Sequence, residues 1–205
     1  MRDVFTKGNG FGDSSYNVYD GQTITAKRYG FTVTATIHHD GDNDAPWDNE
    51  DGHGPISDWR DKDSKRAGEL VLCTDRNRAR FYDFAEAVKQ AKTEGWDAKP
   101  YNKNGRETKG QQAAKAARAD FERMRAWCRD EWFYVGVAVT VAWEETNLIP
   151  KYAHALWGIE SDAGDYLREV ANELAAEAIE DAQQTLSDLG HASRVAKRRA
   201  KKTAA

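Results

Sequence analysis

Along this chain, apolar and polar positions switch between a two-residue and a three-to-four-residue period, and the switches mark out its elements. Residues 22–26 and 31–38 flank Lys27-Arg28-Tyr29-Gly30 and predict a hairpin. In its second arm Phe31, Val33, Ala35 and Ile37 share one face, with Thr32, Thr34, Thr36 and His38 on the other. That alternation is the mark of a half-buried strand. A short apolar run predicts another strand over 69–74. Phe81, Phe84, Ala85, Val88 and Ala91 then recur at helical spacing, which predicts a helix over 80–94 with Gly95 as its left-handed stop. A second helix is expected over 111–130, striped by Ala117, Phe121, Met124 and Cys128.

The strongest strand pattern covers 132–143, where Phe133, Val135, Val137, Val139, Val141 and Trp143 alternate with small residues. A loop over 144–151 leads to a returning strand at 152–159. Ser161 and Asp162 then offer caps to a long helix expected to end near Gly190, with Leu167, Val170, Ala171, Leu174, Ala178 and Ala182 as its apolar stripe. Strands, helices, a second hairpin and a last helix in this order predict an α+β fold. It would be an antiparallel sheet of four to five strands with three helices packed on it. The expected organisation is a flexible segment over 1–20, one domain over 21–190 containing a long acidic loop at 39–68, and a basic disordered tail over 191–205.

Composition narrows the class. With seven Trp, eight Tyr and seven Phe in 205 residues, the chain has enough aromatic surface to build a core. No apolar run approaches the ~18 residues of a membrane span, and the N-terminus has no apolar segment of a signal peptide. Two cysteines, Cys73 and Cys128, make no disulfide framework, so a cytoplasmic setting is expected and each thiol reads as a small core residue.

Charge is segregated far beyond what the net of −4 suggests. Residues 133–190 hold 2 Lys/Arg against 11 Asp/Glu, whereas the last fifteen residues hold 6 basic and no acidic side chains. Segregation of this kind steers partners. An acidic chain is a poor nucleic-acid binder by default, so direct binding to DNA or RNA is not expected.

Two constellations could carry function. The first is the run His38-His39-Asp40-Gly41-Asp42-Asn43-Asp44 together with Asp51-Gly52-His53. Asp40, Asp42 and Asp44 at alternate positions echo a calcium loop, but Ala45 stands where the sharp turn needs Gly and Asp51 where a bidentate Glu belongs. A second arrangement takes His39, Asp40, Asp42, Asp44, Asp51 and His53 as ligands of a divalent metal, or His39, Asp40 and His53 as catalytic acid–base partners. This is the enzymatic alternative, a metal-dependent enzyme acting on nucleotides or nucleic acid. A solvated loop whose Asp and Asn side chains cap turns is the competing structural reading.

The second constellation is the last helix. Asp162, Asp165, Glu169, Glu173, Glu177, Glu180 and Asp181 recur every three or four residues, with Arg168 the one basic residue among them. Like charges at this spacing cost a helix ~0.2–0.5 kcal/mol per pair, so the stripe is mildly unfavourable unless a partner uses it. Carboxylates every ~5–6 Å along the axis loosely imitate a row of phosphates. The same residues also read as an ordinary solvated helix face.

Several phrases resemble one family. His39-Asp40, Ala45-Pro46-Trp47, Asp51-Gly52-His53-Gly54-Pro55, Trp59, Arg80-Phe81-Tyr82-Asp83-Phe84 and the stretch from Trp157 to Leu167 are similar to small uncharacterised proteins carried by bacteriophages and prophages, over about residues 29–180. The resemblance implies a setting, an accessory protein made inside an infected bacterium, and brings no activity or site residues with it. The run Asp40–Asp44 is more acidic than the resemblance would give. The expectation is a protein without cofactor that binds, through its acidic surface, a basic nucleic-acid-handling protein of the host, in the manner of an anti-CRISPR or anti-restriction inhibitor. A second copy of the chain is the other partner the stripe could face.

Overall fold

The computed structural model describes residues 3–8, 11, 18–49, 52–96 and 107–203, the last thirteen of these as backbone alone. The fold is α+β, and the chain divides into two compact units, 1–41 with 133–205 and 42–132. The segment read from sequence as the middle of a single domain thus has a sheet of its own.

The first unit is built on an antiparallel sheet. β1 (Thr23–Arg28) and β2 (Phe31–His39) form the expected hairpin. Tyr29 and Gly30 both take positive φ, 51° and 83°, as a two-residue turn matched to strand twist requires. β2 then pairs with β6 (Tyr134–Trp143), which in turn pairs with both β7 (Thr146–Asn147) and β8 (His154–Glu160). The predicted alternation of β2 is borne out, since Phe31, Val33, Ala35 and Ile37 are all buried. They join Val135, Val137, Val139 and Val141 of β6 beneath α4 (Asp165–Thr203).

The buried face of α4 carries Leu167, Val170 and Ile179 among the alanines Ala171, Ala175, Ala178 and Ala182, and small side chains let the helix axis approach the sheet closely. Ser161 does not cap this helix: it is 1% exposed and its Oγ accepts from Phe133 N at 3.1 Å. Gly190 does not end it either. It lacks the positive φ of a terminating glycine, and the backbone continues as helix to Thr203 through a segment of good helix formers.

The segment before β1 has neither helix nor strand among its described residues, yet it is anchored. Phe5, Phe11 and Val18 lie in the same core, and Asn172 of α4 accepts from Val4 N and Phe5 N at 2.7 and 2.8 Å while donating to Phe5 O at 2.9 Å.

The second unit begins with a single helical turn, α1 (Pro46–Asn49), and a three-stranded antiparallel sheet in the order β3 (Arg60–Asp61), β5 (Arg78–Asp83), β4 (Glu69–Asp75). Ile56 adds an isolated bridge to Tyr82, so the stretch expected as a long loop is partly knitted into this sheet. The helix expected from Arg80 starts only at Phe84. Residues 80–83 belong to β5, where Ala79 and Phe81 are buried, and the Asp83 side chain caps α2 (Phe84–Glu94) by accepting from Glu86 N at 3.0 Å. Phe81 satisfied both periods, and sheet pairing with Val71 decided between them. The buried residues of α2 are Ala87 and Ala91, while Ala85 is exposed.

Gly95 closes α2 in the left-handed conformation at φ 74°, as its position predicts. α3 (Lys109–Trp127) opens with a reciprocal capping box between Thr108 and Gln111. Arginines cover much of the aromatic surface in this unit: Arg60 lies over Phe81, Arg118 over Phe84 and Arg123 over Trp132 at 4.5, 4.7 and 3.7 Å. Trp132, expected to open β6, is buried here instead and donates to Arg123 O at 3.0 Å.

Candidate functional site

The acidic stripe on α4 is present as a surface. Its spacing sets it opposite the buried stripe, and Asp165, Glu169, Glu173, Glu177, Glu180 and Asp181 are all exposed; Asp162, expected on the helix, is exposed in the turn before it. Several are held by basic neighbours. Arg168 pairs with Asp165 at 2.8 Å, and His154 of β8 reaches Asp181 at 3.0 Å and Glu177 at 3.7 Å. The two His154 contacts tether the acidic face to β8 at one point, whereas the Arg168 pair lies within α4 itself. The carboxylates of Glu169, Glu173 and Glu180 point away from the core and face solvent.

The loop candidates go to different places. His39 and Asp40 lie in the first unit. The His39 backbone N–H donates to Asp20 Oδ1 at 2.8 Å, and its imidazole rests on the Phe133 ring with centroids 5.3 Å apart. Asp40 Oδ2 accepts from Gly158 N at 2.9 Å, and its own N–H donates to Tyr134 O. Asp42, Asp44 and His53 lie in the second unit. Asp42 and Asp44 are exposed, and Asp44 O takes a hydrogen bond from Asn49 Nδ2. Asp51 falls outside the described residues. Among the described residues no three His, Cys, Asp or Glu side chains gather as a metal group.

His53 has a different partner, one too distant along the chain for spacing to reveal. Asp120 of α3 accepts from His53 Nδ1 at 2.6 Å, from Gly54 N at 2.8 Å and from the Tyr82 hydroxyl at 2.7 Å. Burial and the Asp120 carboxylate push the Tyr82 hydroxyl far above the usual tyrosine range, so it stays a donor. A side chain at Gly54 would run into the Tyr82 ring and into Ala87, which explains the glycine. One carboxylate thereby clasps the loop, β5 and α3 together.

A surface that the sequence pattern did not single out lies on the sheet face opposite α4. His38, Tyr152 and Trp157 cluster with ring centroids 5.4, 5.9 and 6.2 Å apart. Trp157 lies against the bare backbone of Gly136, where a Cβ would collide with its ring. The β6–β8 ladder is bulged there, Gly158 has φ 75°, and Asp40 holds the Gly158 N–H. Bulges re-aim side chains in this way. Tyr152 and Trp157 are 50% and 43% exposed, so the cluster presents apolar ring surface to solvent. Trp143, at the end of β6, is 41% exposed.

Burial and the Lys151 ammonium hold the His38 imidazole below the ordinary value of 6.5, with Asp20 pulling the other way. Because folding lowers this value, His38 adds stability that is present above the unfolded pKa and lost as pH falls toward the folded one. An NMR titration of His38 is expected to show a midpoint below 6.5, moved up by Lys151→Ala and down by Asp20→Asn.

The Asp120 clasp generates a second prediction. His53→Ala removes a charge-assisted hydrogen bond from a carboxylate whose side chain is 10% exposed, and costs about 1.5–3 kcal/mol in denaturant unfolding. The loss is expected to be equal in EDTA and in Ca²⁺, Mn²⁺ or Zn²⁺. A loss that appears only with one metal present would assign His53 to that metal instead.

No protein-family model matches this chain, and no curated protein or solved structure is detectably similar to it.

Proposed function

We propose that this chain is a binding protein rather than an enzyme, and that the acidic face of α4 docks on a basic, nucleic-acid-handling partner. The observation that carries the reading is the exposure of Asp165, Glu169, Glu173, Glu177 and Glu180 on one side of a helix whose other side is locked into the core, with Asp162 exposed in the turn that leads into it. Such a face is rigid before a partner arrives, so binding loses little conformational entropy. A row of fixed carboxylates suits a groove lined by Lys and Arg that ordinarily holds phosphates. The resemblance over residues 29–180 implies only a setting, an accessory protein made inside an infected bacterium; blocking a nuclease of host defence is the role we propose for it there. No helix among the described residues is long and apolar enough to cross a membrane.

The test is a plating assay in bacteria carrying one defined restriction or CRISPR nuclease at a time, with the chain supplied from a plasmid. The wild-type chain is expected to restore phage plating against at least one nuclease. The triple reversal Glu169→Lys, Glu173→Lys, Glu177→Lys, folded by circular dichroism, is expected to lose at least tenfold of that protection. Undiminished protection by the reversed chain would remove α4 as the docking face.

A further inference from the structure

We propose that Cys73 and Cys128 are a modification site, a pair of thiols that closes reversibly into a disulfide joining β4 to the C-terminal end of α3. The residues are fifty-five positions apart in sequence, and the fold brings them to one pocket of about 330 Å³ that they share with Leu72, Thr74, Arg125 and Arg129. Both are half-buried, so the pocket admits a small reagent. The thiols lie within hydrogen-bonding reach of each other.

Local structure explains the encounter. The β4–β5 ladder is irregular between Val71 and Cys73, and Leu72 is buried while Val71 is exposed. Cys128 sits at the helix cap of α3, where its N–H still donates to Met124 O at 3.1 Å. Each thiol is therefore positioned by backbone that secondary structure already holds. Arg80 stands across the ladder from Cys73, and Arg125 and Arg129 border the pocket, so anionic sulfur and oxygen species arise among positive charges.

The two thiols are not equivalent. Burial, with Cys73 beside it, pushes the Cys128 thiol up to about 12, so it remains protonated at neutral pH and reacts second. With hydrogen peroxide as oxidant, the Cys73 sulfur attacks one oxygen, the O–O bond breaks, hydroxide leaves and takes up the Cys73 thiol proton as the first water, and Cys73 becomes a sulfenic acid. The Cys128 sulfur then attacks the Cys73 sulfur. The S–S bond forms as the S–O bond breaks, and the oxygen departs as water with the Cys128 proton. Two thiols lose two electrons and one peroxide is reduced to two waters. A dithiol reductant reverses the step by exchange.

The experiment treats the reduced full-length chain with hydrogen peroxide at neutral pH, blocks remaining thiols with N-ethylmaleimide and reads the intact mass. The expected product has lost two hydrogens, carries no maleimide, runs as a monomer, yields a Cys73–Cys128 linked peptide and recovers both thiols in dithiothreitol. In Cys128→Ser, Cys73 is expected to stop at a sulfenic acid trapped by dimedone. In Cys73→Ser, Cys128 is expected to stay a thiol over the same time. Two maleimides on the peroxide-treated wild type would overturn the proposal, and so would a disulfide found only between two chains.

Discussion

β6 is hydrogen-bonded along both edges and covered by a helix, and that burial organises the first unit. Its valine row meets the alanine-rich side of α4, and each fully buried valine contributes about 1.5–3 kcal/mol relative to exposure. An α-helix with one side committed in this way has no choice about the other. The rotation that seats Leu167, Val170, Ala171, Ala175, Ala178 and Ile179 on the sheet also turns Glu169, Glu173 and Glu180 outward. The proposed docking face is thus a consequence of core packing, and nothing needs to move to create it. The repulsion within the stripe is small beside the burial that fixes the helix.

In the second unit, alanines bring α2 and α3 together at Ala91, Ala113 and Ala116, and stacked arginines cover aromatic rings. Polar networks add to an apolar core of Leu72, Phe81, Tyr82, Phe121, Met124 and Trp132. Burial alone would push the Glu69 carboxyl up, but the Arg66 N–H and the Arg60 guanidinium at 2.7 Å hold it low. Asp120 does comparable work for the loop around His53. The Glu69 network is local, whereas Asp120 ties together residues 38 and 67 positions away along the chain.

Legibility followed the range of the interaction. The β2 alternation, the β6 valine row, the Gly95 stop and the acidic stripe are local patterns, and each was visible in the residues alone. The start of α2 was not, because Phe81 fits a helix and a strand equally and only pairing with β4 separates them. The His53–Asp120 bond spans 67 residues, so a histidine that spacing grouped with nearby carboxylates takes a distant one instead. The aromatic cluster depended on a bulge at Trp157 and Gly158, and a bulge leaves no period to detect. Asp40, an attractive ligand on paper, holds that bulge.

Docking of a cationic partner on the pre-formed anionic face of α4 is the step proposed above. Amide and carboxyl NMR shifts of the full chain, recorded while a lysine-rich peptide is titrated in, test it most directly. Shifts are expected to be confined to Asp162, Asp165, Glu169, Glu173, Glu177, Glu180 and their neighbours, with the helix unchanged and the effect suppressed near 1 M salt, where the screening length falls to ~3 Å. Shifts centred anywhere else, or none along α4, would contradict it.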